Sequence, residues 1–207
     1  MFKTTAFVAV FVLAVLPSAA AASSSEGPAW RGFCVLGGGA FYPGQSPVRS
    51  LYGDVSFPAH VQLGLRLSGP LSLTAGYRYL GTAGTTQAVK PAVDDESYDL
   101  RIVVHSVRAA FRLDSSPGGS PLFVQAGYAY NFYRESWEGA SLDVDGRVGG
   151  AFFAAGAEIP LLRPLALQIR LEYALIPTKE GGALSPEVDL GGFDAVLGLV
   201  FRFGGRR

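Results

Sequence analysis

From Leu165 to Leu175 every second residue is apolar: Leu165, Leu167, Ile169, Leu171, Tyr173 and Leu175. Between them lie Ala166, Gln168, Arg170, Glu172 and Ala174. A period of two belongs to a strand with one greasy face and one polar face. The pattern recurs along the chain, in Ala59–Leu67, Leu71–Tyr79, Leu122–Phe132 and Phe193–Phe203. A sheet written this way separates two media, and its arrangement here points to a barrel in an outer membrane.

Eight strand-like stretches fall at about 30–42, 56–67, 71–81, 97–113, 121–133, 148–159, 165–176 and 192–203. Three connections are brief and rich in turn residues: Ser68-Gly69-Pro70, Asp114–Ser120 and Pro160–Pro164. The other four are long: Pro43–Val55, Thr82–Glu96, Arg134–Arg147 and Pro177–Gly191. Long and short alternate, as an up-and-down barrel requires if its long loops all face outside the cell. The expected fold is all-β, an eight-stranded antiparallel up-and-down transmembrane β-barrel. Tilted membrane strands need about 9–11 residues, longer than the usual strand of a soluble protein. His105-Ser106, between Val104 and Val107, breaks the alternation in the fourth strand, which reads as a β-bulge. The first strand, with Gly37-Gly38-Gly39, has no clear parity; its glycines read as small residues easing it past its neighbours.

Alternation alone does not separate this barrel from a lipocalin-like one whose greasy face turns inward. Two features do. Aromatics gather towards the long loops (Tyr42, Tyr79, Tyr98, Tyr130, Phe132, Phe193) and towards the turns (Trp30, Phe111, Phe201, Phe203), matching two membrane interfaces. An eight-stranded interior is just wide enough to be filled by side chains, and so many Leu, Tyr and Phe would overfill it. Composition agrees: 49% of residues are hydrophobic and 16% charged, against about 25% charged in soluble domains.

The N-terminus carries Lys3, an apolar run from Ala6 to Leu16, Pro17-Ser18 and an alanine tract. Such a run is shorter than the ~20 residues a spanning helix needs, and the small residues supply an Ala-x-Ala site. Residues 1–22 therefore read as a cleaved signal peptide, cut after Ala21 or Ala22, and residues 23–207 as one barrel domain. Net charge is zero, which gives no electrostatic case for nucleic acid. Cys34 is the only cysteine, so no intrachain disulfide forms; it reads as a small packing residue.

By parity the lumen receives Arg66, Arg78, Asp99, Arg101, Arg108, Arg112, Glu158, Arg170, Glu172, Asp194 and Arg202, with His60, Gln62, His105, Gln125 and Gln168. Buried charge is costly unless paired, so these groups are expected to form a connected polar network. Two functions fit such an interior: a salt-bridged plug, or a basic-lined conduit for small anions.

Catalysis finds little support. Acyl transfer or hydrolysis needs a His beside a nucleophile and an orienting carboxylate. His105 and Ser106 are strand neighbours pointing to opposite faces, and His60 has no evident partner. No His/Cys cluster has metal-ligand spacing, and neither metal nor cofactor is expected. Eleven of the seventeen acidic residues fall in the long loops, Asp94-Asp95-Glu96 and Asp143/Asp145 among them. They read as solvated charges beside lipopolysaccharide phosphates rather than calcium ligands. Gly37–Gly39 has no helix behind it and is no phosphate loop.

Four phrases, PLFVQAGYAY (Pro121–Tyr130), GAEIPL (Gly156–Leu161), LQIRLEY (Leu167–Tyr173) and GLVFRF (Gly198–Phe203), carry a resemblance. The chain resembles the small eight-stranded outer-membrane barrels, those like the OmpA transmembrane domain and the Ail/OmpX adhesion group. The resemblance implies an assembly signal at Gly198, Phe201 and Phe203, read by the barrel-assembly machinery. Val196, at an often polar position, and Gly204–Arg207, beyond the usual terminal aromatic, depart from the pattern. It implies a monomer among outer-membrane lipid and lipopolysaccharide, with a structural or adhesin-like role carried by four extracellular loops towards an unidentified ligand. Tyr52, Trp137, Leu142 and Leu184 are the expected exposed contacts. A narrow small-solute channel and a lipid A-modifying enzyme are the alternatives.

Overall fold

The computed structural model describes residues 30–87, 97–115, 122–138, 142–177 and 189–204. The proposed signal peptide, Asp94-Asp95-Glu96 and Leu184 lie outside the described residues, as do the side chains of Tyr98 and Leu142. The strands are β1 (Gly32–Pro43), β2 (Ala59–Ser68), β3 (Leu71–Gln87), β4 (Ser97–Asp114), β5 (Leu122–Glu138), β6 (Leu142–Leu162), β7 (Leu165–Leu175) and β8 (Gly192–Phe203), with one helix, α1 (Ser46–Tyr52), between β1 and β2. Each strand pairs antiparallel with the next, and β1 pairs with β8 from Gly32↔Phe203 to Pro43↔Gly192, so the sheet closes into a barrel; above Tyr79 in β3 and before Ala151 in β6 the ladder to β2 and β7 has ended. No helix among the described residues is long and apolar enough to cross a membrane; this barrel crosses with strands.

The outward face is the greasy one. In β7, Ile169 and Leu171 are exposed while Gln168, Arg170 and Glu172 are buried. In β2, Val61, Leu63, Leu65 and Leu67 face out and His60 and Gln62 face in; β8 repeats the scheme with Phe193, Leu197, Leu199 and Phe201 outside and Asp194, Val196 and Val200 inside. Exposed aromatics ring the outer end (Tyr42, Tyr79, Tyr130, Phe132, Phe193), and Phe111, Phe201 and Phe203 sit at the turn end. Trp30 departs from that second ring and lines a small cavity at the turn end of the lumen. In β1, Val35 and Phe41 point in, Leu36 and Tyr42 point out, and Cys34 is a free, partly buried cysteine on the outer face. A Cβ on Gly39 would lie 1.9 Å from the Ala195 carbonyl oxygen of β8, so only glycine lets the barrel close there.

Half of the barrel is much taller than the sequence suggests. β3, β4, β5 and β6 have 17, 18, 17 and 21 residues, against 12, 10, 11 and 12 in β1, β2, β7 and β8. Thr82–Gln87, Arg134–Glu138 and Leu142–Arg147, expected as loops, continue the sheet; β5 and β6 stay paired up to Trp137↔Leu142. The surplus over a membrane span amounts to roughly 20 Å of strand.

The expected bulge in β4 is absent. β4 pairs without interruption to β3 from Leu113 to Ser97 and to β5 from Asp114 to Asp99. His105 is outward and Ser106 fully buried, and beyond them Leu100, Ile102 and Val104 point in while Asp99 and Arg101 point out. The apolar residues change faces although the backbone does not. Below this level the exposed face is apolar and the inside polar; above it the exposed face is polar and the inside an apolar core. Register shifts do occur at two turn ends, between Arg66 and Ser68 and between Pro160 and Leu162.

That apolar core closes the outer mouth. α1 opens with Ser46-Pro47, where proline suits a first turn, and ends at Gly53 (φ 83), whose N–H donates to the Arg49 carbonyl at 2.9 Å. Val48 and Tyr52, four residues apart on one face, join Phe41, Leu80, Leu100, Ile102, Val104, Phe152, Ile176 and Leu190 in one cluster. The helix lies directly on Gly84: a Cβ there would come within 1.7 Å of the Leu51 carbonyl oxygen.

Candidate functional site

Below the plug formed by α1 the lumen holds two layers of paired charge. In the middle layer, Arg78 meets Asp194 twice, Nη2 donating to Oδ1 at 3.1 Å and Nε standing 3.0 Å from Oδ2. The first contact is a charge-assisted hydrogen bond and the second a close charge contact without hydrogen-bond geometry. Arg108 Nη1 donates to Glu172 Oε1 at 2.5 Å, and Arg170 reaches Gln62 Oε1 at 2.8 Å and His60 Nδ1 at 3.0 Å. In the layer nearer the turns, Arg112 donates to Asp114 at 2.8 Å and to Glu158 at 2.5 Å, and Arg202 donates to the second oxygen of Glu158 at 2.6 Å. Aromatic rings cover the guanidiniums: Phe41 over Arg78, Phe152 over Arg108, and Phe33 and Phe123 on Arg112, at 4.0–4.7 Å from ring centre to guanidinium carbon. All of these carboxylates are buried, and pairing is what makes burial tolerable.

Of the residues that parity assigned to the lumen, Arg78, Arg108, Arg112, Glu158, Arg170, Glu172 and Asp194 meet there, with Arg202 and the half-buried Arg66 at the turn end. Asp99, Arg101 and His105 do not: all three are exposed on the outer face. His105 accepts or donates a short hydrogen bond with Tyr77 and lies against the Tyr79 ring at 5.4 Å. Ser106 instead bonds Asn131 inside at 2.5 Å, so the two neighbours are separated by the barrel wall. Asp114 and Glu135 also belong to the interior, which sequence reading misses because each stands in a stretch that reads as a connection. Glu135 accepts from Trp137 Nε1 at 2.9 Å at the edge of the apolar plug.

Tyr52 and Trp137, expected as exposed contacts, instead turn towards the apolar plug. Tyr52 is 3% exposed, and Trp137 packs against the plug. Burial first, then the negative charge of Glu135, push the Tyr52 phenol above its ordinary range. The outer surface of the tall wall is polar instead. Arg134 Nε and Nη2 hold both oxygens of Asp145 at 2.7 and 3.2 Å, keeping that carboxyl below its usual value. Arg147 lies over the Phe132 ring. No group of three or more potential metal ligands occurs among the described residues.

The lumen therefore has no wide passage among the described residues. Two small cavities among the described residues, about 20 Å³ at the turn end and about 10 Å³ in the middle, are each sized for roughly one water.

Residues 8–203 match the model of the outer membrane protein beta-barrel domain. The chain belongs to this family. Its members are outer-membrane barrels, and the fold described above is theirs. Among solved structures, OprG from Pseudomonas aeruginosa is similar over 88% of this chain and 100% of that one, at 10% identity and a TM-score of 0.56. Neisserial surface protein A is similar over 83% of this chain and 97% of that one, at 14% identity and a TM-score of 0.52. At such identities the likeness is one of fold. No curated protein sequence matches the chain.

Proposed function

We propose that this family member is a closed outer-membrane barrel with a structural or surface-interaction role, and that its recognition surface is the wall built by β3–β6. The filled lumen carries the reading. An apolar plug stands above two layers of arginine–carboxylate pairs, which favours a rigid scaffold over a conduit. What this barrel offers the outside is the asymmetric wall, exposing Arg101, Arg134, Asp143, Asp145 and Arg147 above the aromatic ring. The same proposal has the chain exported behind residues 1–22, inserted by the barrel-assembly machinery through Gly198, Phe201 and Phe203, and held as a monomer amid lipid and lipopolysaccharide. Gly198 faces the lumen while Phe201 and Phe203 are exposed at the turn end, a surface that a membrane-embedded machine can reach.

Shortening the β5–β6 hairpin by joining Tyr133 to its register partner Gly146 through a two-residue turn tests the assignment. Cells carrying the shortened barrel are expected to retain heat-modifiable, outer-membrane protein but to lose adhesion to host cells or matrix. Undiminished adhesion with the hairpin gone would remove the wall from the mechanism.

A further inference from the structure

The middle layer holds three guanidiniums, Arg78, Arg108 and Arg170, against two carboxylates, Asp194 and Glu172. Its hydrogen bonding is unbalanced in the same direction. Arg108 Nε and Nη2, Arg170 Nε and His60 Nε2 are buried without an acceptor among the described residues. The Glu172 oxygen left over stands 3.7 Å from Arg170 Nε, so a small shift settles that donor. The groups on Arg108 and His60 stay unmatched.

His60 must be a donor at this position. Its Nδ1 faces Arg170 Nη2 at 3.0 Å, and a guanidinium cannot accept, so the neutral ring carries its proton on Nε2. Nearby oxygens are already engaged. Gln125 Oε1 accepts from Gln62, Thr74 accepts from Gln125, and Thr74 donates to the Ala110 carbonyl. His60, Arg108, Arg170, Gln62, Gln125 and Thr74 line the 10 Å³ cavity. That volume takes a single small particle and excludes phosphate, sulfate or a carboxylate-bearing solute.

We propose that the centre of the barrel binds one small monovalent anion of the halide class, between Arg108 and His60. The anion supplies the missing negative charge and accepts the unmatched donors. A water would accept hydrogen bonds yet bring no negative charge to offset the third guanidinium among these buried groups.

The test folds the full chain into phospholipid vesicles in sodium chloride, sodium bromide or sodium sulfate at equal ionic strength, and reads the midpoint of the heat-modifiable gel transition. Midpoints are expected to be higher in chloride and bromide, with a saturating dependence on halide. Sulfate generally strengthens folded proteins, so this order opposes the nonspecific salt effect. Crystals grown in bromide are expected to show an anomalous peak in the cavity. Gln62→Glu, which places a carboxylate beside Arg170, is expected to abolish the halide dependence. Equal or sulfate-favoured midpoints for the unaltered chain together with no bromide peak would overturn the proposal. The bromide measurement decides the matter by itself if the variant does not fold.

Discussion

Replacing Asp194 with Ala leaves the Arg78 guanidinium buried beneath Phe41 with no carboxylate opposite it. Removing one partner of a buried pair costs about 3–5 kcal/mol, whereas replacing both with apolar groups is often neutral. Urea unfolding of D194A in vesicles is therefore expected to show a loss of that size, and R78M/D194M to recover most of it. Tyr52 gives a pH dependence with a definite sign. Its phenol is held protonated in the folded protein, so above pH 10 the unfolded chain ionises first and stability falls as pH rises towards the folded value. Thermal melts between pH 9 and 11 are expected to slope less steeply for Tyr52→Phe. Equal slopes would mean that the phenol is not sequestered.

At the scale of elements, α1 depends on a missing side chain in β3. Gly84→Val drives a branched side chain into the Leu51 carbonyl, so the helix must lift from the mouth. Overpacking of this kind costs about 1–3 kcal/mol, and limited proteolysis within residues 44–57 is expected to quicken while the barrel stays heat-modifiable. The membrane-embedded parts of the strands were readable because lipid outside and charge inside impose one alternation from Ala59 to Phe203. Reading stopped where that contrast reverses. At Leu100, Ile102 and Val104 the greasy face turns inward, and this inversion imitates a bulge. It also disguises Arg134–Glu138 and Leu142–Arg147 as loops, since their exposed face is charged. Arg78–Asp194 and Arg108–Glu172 were legible as lumen residues from parity, but not as partners, because barrel tilt sets which strands' side chains meet. Helix α1 has seven residues, too few for a periodic signal, and its helical state comes from Val48 and Tyr52 docking in the mouth.

For the whole molecule, stability and closure have the same source. The interior that holds the eight strands together is also what fills the lumen, so opening a path would mean dismantling pairs that the fold needs. Purified protein in planar bilayers is expected to show no single-channel conductance above leak, and deletion of residues 45–53 to leave it closed, because the charged layers lie beneath the plug. Steady ion-conducting steps from the intact protein would contradict the filled lumen. The deeper claim is which face meets lipid. Labelling the native protein in bilayers with a carbene carried on a lipid acyl chain, and mapping the adducts by mass spectrometry, reads that face directly. Adducts are expected at Leu167, Ile169 and Leu171 of β7 and at Leu63 and Leu65 of β2, with none at Gln168, Arg170 or Glu172. Adducts on the Gln168–Arg170–Glu172 face, or none in β7 at all, would contradict the account.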